Sequence, residues 1–124
     1  MRPIPLGFVH LARPGRASGE PLQRRNLPPV LATPVMIMVL ENAALNAIRP
    51  YLDPGESAVG SVVDVRHTVP TPVGRQVTGE AIVTKVEGRR IDFSVRATEG
   101  AREIGAGSHR RIAIDVAKFI ERLG

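Results

Sequence analysis

Residues 33–52, TPVMIMVLENAALNAIRPYL, decide the fold. Thr33 stands as an N-cap, and Pro34 takes the first helical position, where a missing N–H costs nothing. Good helix formers follow, with Ala43, Ala44, Leu45, Ala47 and Ile48 continuing the apolar character. Pro50 and Pro54 end the helix. Val35 to Leu40 are uninterrupted apolar residues and cover more than one helical face, so the helix is expected to be wrapped by other structure. Glu41 follows them directly. A carboxylate in a wrapped helix costs on the order of several kcal/mol unless it is paired or protonated, so Glu41 is the residue that most needs an explanation.

Beyond Pro54 and Gly55 the apolar period changes from helical to two. Val59, Ser61, Val63, Val65 and His67 are expected on one face of a strand, with Ala58, Gly60, Val62, Asp64 and Arg66 on the other. Val77 to Val86 is a second strand, and Glu87-Gly88 is a tight turn of the kind that joins antiparallel neighbours. Ile91, Phe93, Val95 and Ala97 alternate along a third strand. After Glu99-Gly100, residues Ile104 to Asp115 form a fourth, in which Gly105 and Gly107 mark a bulge or a close backbone approach. Asp115 caps a short terminal helix with Val116, Phe119, Ile120 and Leu123 on its apolar side.

Upstream of the long helix, Ile4, Leu6 and Phe8 alternate, but Pro3 and Pro5 restrict any strand there to a sheet edge. Residues 12–29 are rich in Pro, Gly and Arg and lack periodicity. The chain therefore divides into residues 1–29, a weak edge strand plus an Arg/Pro-rich connector, and residues 30–124, the folded domain. Strands in series beside one segregated helix mean an α+β fold. A long central helix wrapped by a curled antiparallel sheet is the hot-dog arrangement.

Composition narrows the function. The 124 residues suit one domain, and 3% aromatics leave an aliphatic core. No cysteine is present, which excludes disulfides, a thiol nucleophile and cysteine-ligated metals. No apolar run approaches a membrane span and no signal-peptide pattern is visible, so the expected compartment is the cytoplasm. The net charge of +5 is concentrated in residues 1–33, which carry five Arg and one acidic residue. The rest is close to balanced, and nucleic-acid binding is not expected. The basic segment reads as a solvated tail or as a contact for cofactor phosphates.

Phosphate-binding loops, nucleophile elbows, dinucleotide fingerprints and metal-spaced clusters are all missing from the sequence. What remains is a carboxylate (Glu41), a histidine (His67) and a helix N-terminus (Thr33). Glu41 suits a general base or nucleophile, or else sits on the helix's one wet stripe with Asn42 and Arg49. Unpaired N–H groups at a helix start can meet a developing oxyanion. His109 and Arg111 share a strand face and Arg110 points away, and the plainest reading of all three is a solvated strand. Such a set suffices to hydrolyse an activated ester.

Three stretches then resemble one family. VLATPVMIMVLENAA, SAVGSVVDVRHTVPTPVG and IGAGSHRRIAID are similar to the signature segments of the fluoroacetyl-CoA thioesterase-like branch of hot-dog proteins, over roughly residues 30–119. The resemblance implies an acyl-CoA thioesterase with Thr33, Glu41 and His67 as the catalytic set. Gly60 and Arg111 would contact the acyl group or shape its site. It also implies a homodimer, or a dimer of dimers, with active sites at the subunit interface. No metal and no separate cofactor are implied, CoA being part of the substrate. The expected reaction is hydrolysis of a small or medium acyl-CoA, the alternative being a non-catalytic acyl-CoA-binding or regulatory protein. Family members that select fluoroacetyl-CoA carry lid phenylalanines ahead of the helix. RRNLPPV stands in that place here, with no aromatic residue between Phe8 and Tyr51, so that selectivity does not carry over.

Overall fold

The computed structural model describes residues 1–6, 9–11, 15–16 and 30–124. Helix α1 spans Thr33–Ile48 and is extended by one 3-10 turn over Arg49–Tyr51. It starts one residue earlier than the sequence pattern suggests. Ala32, with extended backbone angles, is the N-cap and offers no side-chain cap. The N–H groups of Val35 and Met36 both reach the Ala32 carbonyl, at 3.0 and 3.1 Å. Thr33 therefore lies inside the first turn, and its hydroxyl is released from capping.

Five strands form one antiparallel sheet in the order β1-β4-β5-β6-β3, with the short β2 also paired to β4. They are β1 (Val9–Leu11), β2 (Gly15–Arg16), β3 (Glu56–His67), β4 (Gln76–Glu87), β5 (Arg90–Glu99) and β6 (Arg102–Asp115). The two-residue turns are Gly88-Arg89 and Gly100-Ala101, each one residue later than the sequence placed it, because Glu87 pairs with Arg90 and Glu99 with Arg102. The alternation in β5 holds: Ile91, Phe93, Val95 and Ala97 all point into the core. Phe93 is the largest fully buried side chain of an otherwise aliphatic cluster.

In β3 the simple alternation fails. Pairing with β6 shifts between Gly60 and Val62, so Ser61 is an extra residue in a bulge. Ala58 opposes Ala113 and Gly60 opposes Arg111, whereas beyond the bulge it is Val63 that opposes His109 and His67 that opposes Gly105. Residues directly opposite in an antiparallel pair point the same way. The inner face is therefore Ala58 and Gly60, then Val63, Val65 and His67. A single inserted residue has moved Val59 and Ser61 off the face that their spacing assigned them.

The helix lies on the sheet chiefly over β4. Its buried side is Met36, Leu40, Ala43, Ala44, Ala47 and Ile48, while Met38 on the opposite side is 59% exposed. Among the described residues the helix is thus wrapped on one side only. Contact is close because two facing positions are glycine. A Cβ at Gly79 would stand 2.8 Å from Val39 Cγ1 and 2.9 Å from the Val39 carbonyl oxygen. One at Gly105 would stand 2.6 Å from Met36 Sδ. The expected close approach at Gly105 and Gly107 is therefore present, the latter against the Asp64 carbonyl.

At the N-terminal end, Ile4 is buried in the core and Leu6 is exposed, but neither lies in a strand. The edge strand begins later, at Val9; Phe8 lies outside the described residues, as do positions 12–14 and 17–29 of the connector. Helix α2 (Val116–Arg122) is capped as expected, with the Asp115 side chain accepting from the Lys118 N–H at 3.1 Å. Its apolar side is left open, with Phe119, Ile120 and Leu123 exposed. Among the described residues no helix is long and apolar enough to cross a membrane.

Gly79→Ala is expected to push α1 off the sheet, because Val39's backbone cannot yield as a side chain can. Overpacking of this kind costs about 1–3 kcal/mol, read as a lowered midpoint in urea unfolding with unchanged slope.

Candidate active site

The polar side chains of interest fall into two groups on the inner surface of the sheet. At the N-terminus of α1, the Thr33 hydroxyl lies 2.9 Å from His67 Nδ1. This contact, rather than a cap, is what occupies the hydroxyl. The other ring nitrogen of His67, Nε2, is buried and has no hydrogen-bond partner. A buried polar atom without a partner is costly.

The second group gathers around Glu41. Its Oε2 lies 3.7 Å from Arg111 Nη1, with the Arg111 side chain 9% and the Glu41 side chain 36% exposed. Glu41 is thus half-buried, not enclosed as its apolar flank suggested. Gly60 faces it: a Cβ there would stand 3.0 Å from Glu41 Oε2 and 3.3 Å from His109 Cε1. The absent side chain lets the carboxylate come up against the strand backbone.

Arg111 is held by more than Glu41. Its Nη2 donates to the Ala58 carbonyl at 2.6 Å, and its Nη1 lies 3.2 Å from His109 Nε2. His109 in turn bonds the Val62 carbonyl through Nδ1 at 2.7 Å and stacks on Phe93 with 6.0 Å between ring centroids. Burial pushes the His109 imidazole below its usual range and the Arg111 charge adds to this, while the bond to the Val62 carbonyl and the Glu41 carboxylate oppose it. Burial also draws the Arg111 guanidinium below its ordinary value, with Glu41 pulling it back.

The solvated-strand reading of β6 is therefore half right. Arg110 does point outward, where its Nε pairs with Asp92 at 2.7 Å. His109 and Arg111 point inward and are 3% and 7% exposed. His109 is the polar residue that sequence reasoning set aside. Its signal was the shared parity with Arg111 and Ala113, which the neighbouring Arg110 obscured.

Within one chain the two groups stand apart. Thr33 and Glu41 are eight residues apart on α1, a rise of ~12 Å. His67 pairs with Gly105 and Gly60 with Arg111, six residues along β6, a separation of ~20 Å. Thr33 and His67 are brought together, as are Glu41, Gly60 and Arg111. The two sets do not meet in a single subunit. No cluster of His, Cys, Asp or Glu that could hold a metal occurs among the described residues.

Comparisons relate the chain to known proteins. A family model described as fluoroacetyl-CoA-specific thioesterase matches residues 20–117. The fluoroacetyl-CoA thioesterase of Streptantibioticus cattleyicolor is 45% identical over 92 residues, 74% of this chain and 66%, just under two thirds, of that relative. A variant of a fluoroacetyl-CoA thioesterase solved with fluoroacetate superimposes with a TM-score of 0.88 at 32% identity, over 97% of this chain and 96% of that one. Another variant, solved with fluoroacetate and CoA, gives a TM-score of 0.85 at 34% identity over 94% of this chain and 99% of that one. The hot-dog fold expected from the element order is the fold observed.

Because burial lowers the His109 pKa in the folded chain, the unfolded chain binds the extra proton first as pH falls. Stability should thus decrease below about pH 6.5 and stop decreasing once folded His109 protonates. Urea unfolding from pH 7.5 to 5 should show this loss in the parent, and a His109→Gln variant should show a flatter profile over the same window.

Proposed function

The chain belongs to the fluoroacetyl-CoA-specific thioesterase family, and on that premise we propose that it hydrolyses a small or medium acyl-CoA thioester to the free acid and CoA. The observation that carries the reading is the close approach of the Glu41 carboxylate to Gly60, beside the Arg111 guanidinium. A carboxylate placed there can attack the thioester carbonyl or take a proton from an attacking water. Direct attack would give an acyl–enzyme anhydride and CoA thiolate, and water would then cleave the anhydride. Either route needs a proton for the departing sulfur and donors for the carbonyl oxygen.

His67 and Thr33 supply these. With the Thr33 hydroxyl on Nδ1, the unpartnered Nε2 of His67 is the atom left to serve the substrate. Pro34 has no N–H, and Val35 and Met36 already donate to Ala32, so the Thr33 N–H is the group left at this helix start for an incoming oxygen. Gly60 and Arg111 bound the acyl group.

The two halves of the site are expected to meet in a homodimer. Strand β3 is the edge of the sheet, twelve residues long, with Val62 and Val63 each 43% exposed. A long apolar edge is a template for pairing. Antiparallel self-pairing about a two-fold near Val63 and Asp64 would set His67 within a residue or two of Gly60 of the partner subunit. Both belong to the inner face once the Ser61 bulge is counted, so each Thr33–His67 pair would face a Glu41 carboxylate.

Selectivity for the fluoroacetyl group is not part of this proposal. The stretch ahead of the helix lacks the aromatic residues associated with that selectivity.

Thiol release from a panel of short and medium acyl-CoAs tests the activity. Glu41→Gln and His67→Ala are each expected to reduce kcat by about a hundredfold or more. No turnover of any acyl-CoA by the parent would leave only a binding role. Val63→Lys is expected to yield monomers by native mass spectrometry and to lose turnover. A variant that stays dimeric and active would place the seam elsewhere.

A further inference from the structure

We infer that His109 is a positioning residue for this site: its neutral imidazole restrains Arg111 so that the guanidinium faces Glu41 without closing on it. The inference rests on the reading of Glu41 as base or nucleophile.

Two neighbours fix the state of the ring. The Val62 carbonyl, 2.7 Å from Nδ1, can only accept, so Nδ1 carries the proton. Arg111 Nη1, 3.2 Å from Nε2, can only donate, so Nε2 carries the lone pair. An imidazolium would set an N–H against an N–H and place two positive charges side by side. Leu could fill this space and pack against Phe93, and Phe could stack on it. What neither could do is hold one guanidinium nitrogen.

That hold has a geometric consequence. Arg111 is tied at two points, to the Ala58 carbonyl directly and to the Val62 carbonyl through His109. The two carbonyls stand on either side of the Ser61 bulge. With Nη1 committed to His109, its distance to Glu41 Oε2 is 3.7 Å, too long for a hydrogen bond. Freed from His109, the guanidinium could swing into a bidentate pair with the carboxylate. Such a pair would occupy the lone pairs that an attacking group or base must offer. His109 thus keeps the positive charge near Glu41 while leaving its oxygens available.

The charged groups facing His109 are Glu41 from α1 and Arg111 from β6. Strands β3 and β5 present Gly60, the Val62 carbonyl and Phe93, all uncharged. Protonation at acid pH would therefore release Arg111 toward Glu41, and kcat should show an acid limb that belongs to His109.

The test compares the parent with His109→Leu and His109→Gln, with Glu41→Gln as reference. His109→Leu is expected to lower kcat by about a hundredfold with little change in KM, the size of effect that misplacing a site group produces. Gln, neutral and able to accept from Arg111, should restore much of the rate and remove the part of the acid limb that belongs to His109. Nitrogen-15 NMR of the parent at pH 7 should show a protonated Nδ1 and a bare Nε2. The opposite tautomer or an imidazolium would overturn the proposal whether or not the variants fold. So would full kcat in His109→Leu alongside an inactive Glu41→Gln, an outcome that leaves the thioesterase reading intact. Unimpaired turnover by Glu41→Gln would instead remove that reading and this proposal with it.

Discussion

The depth at which α1 sits on the sheet governs the rest of the molecule. Gly79 and Gly105 remove side chains where Val39 and Met36 would otherwise be lifted away, and backbone meets side chain within van der Waals contact. Interiors are packed densely enough that a single methyl group is felt, so these positions act as a height setting. At that height Leu40, Ala43, Ala44 and Ala47 close the core, and Glu41, one residue past Leu40, comes level with Gly60 and Arg111. A helix held farther out would bury less and would carry the carboxylate away from its guanidinium.

The Ser61 bulge is the second constraint. It switches which residues of β3 face inward, and it does so on the strand that forms the open edge of the sheet. Upstream of it, Ala58 and Gly60 line the core side, with the Ala58 carbonyl receiving Arg111. Downstream, Val63, Val65 and His67 do, with the Val62 carbonyl receiving His109. The polar network is therefore strung across an irregularity in the backbone. Bulges near functional sites commonly re-aim side chains in this way.

The network also shows how a buried charge is tolerated. Arg111 loses solvation, yet it has a carbonyl, a neutral histidine nitrogen and a carboxylate around it. Its Nε stays without a partner. The Arg111 charge is shared among several acceptors rather than collapsed into one ion pair, which suits the role proposed for Glu41.

The sequence by itself determined the element order, the α+β class and the prominence of Glu41. Helix and strand periods differ, and Pro and Gly punctuate them, so a long apolar helix followed by four alternating strands can be read without coordinates. The resemblance of three stretches to one family joined Thr33, His67, Gly60 and Arg111 to Glu41, since each residue type is common in its local setting. Tertiary structure alone decided the rest. The helix starts at Thr33 because the backbone closes onto Ala32, freeing the hydroxyl for His67, a residue distant in sequence. The faces of β3 depend on a register with β6 that no local pattern encodes. His109 gained its importance from the carbonyl and guanidinium on either side of it. These are contacts between distant segments, and short-range periodicity carries no information about which segments will meet.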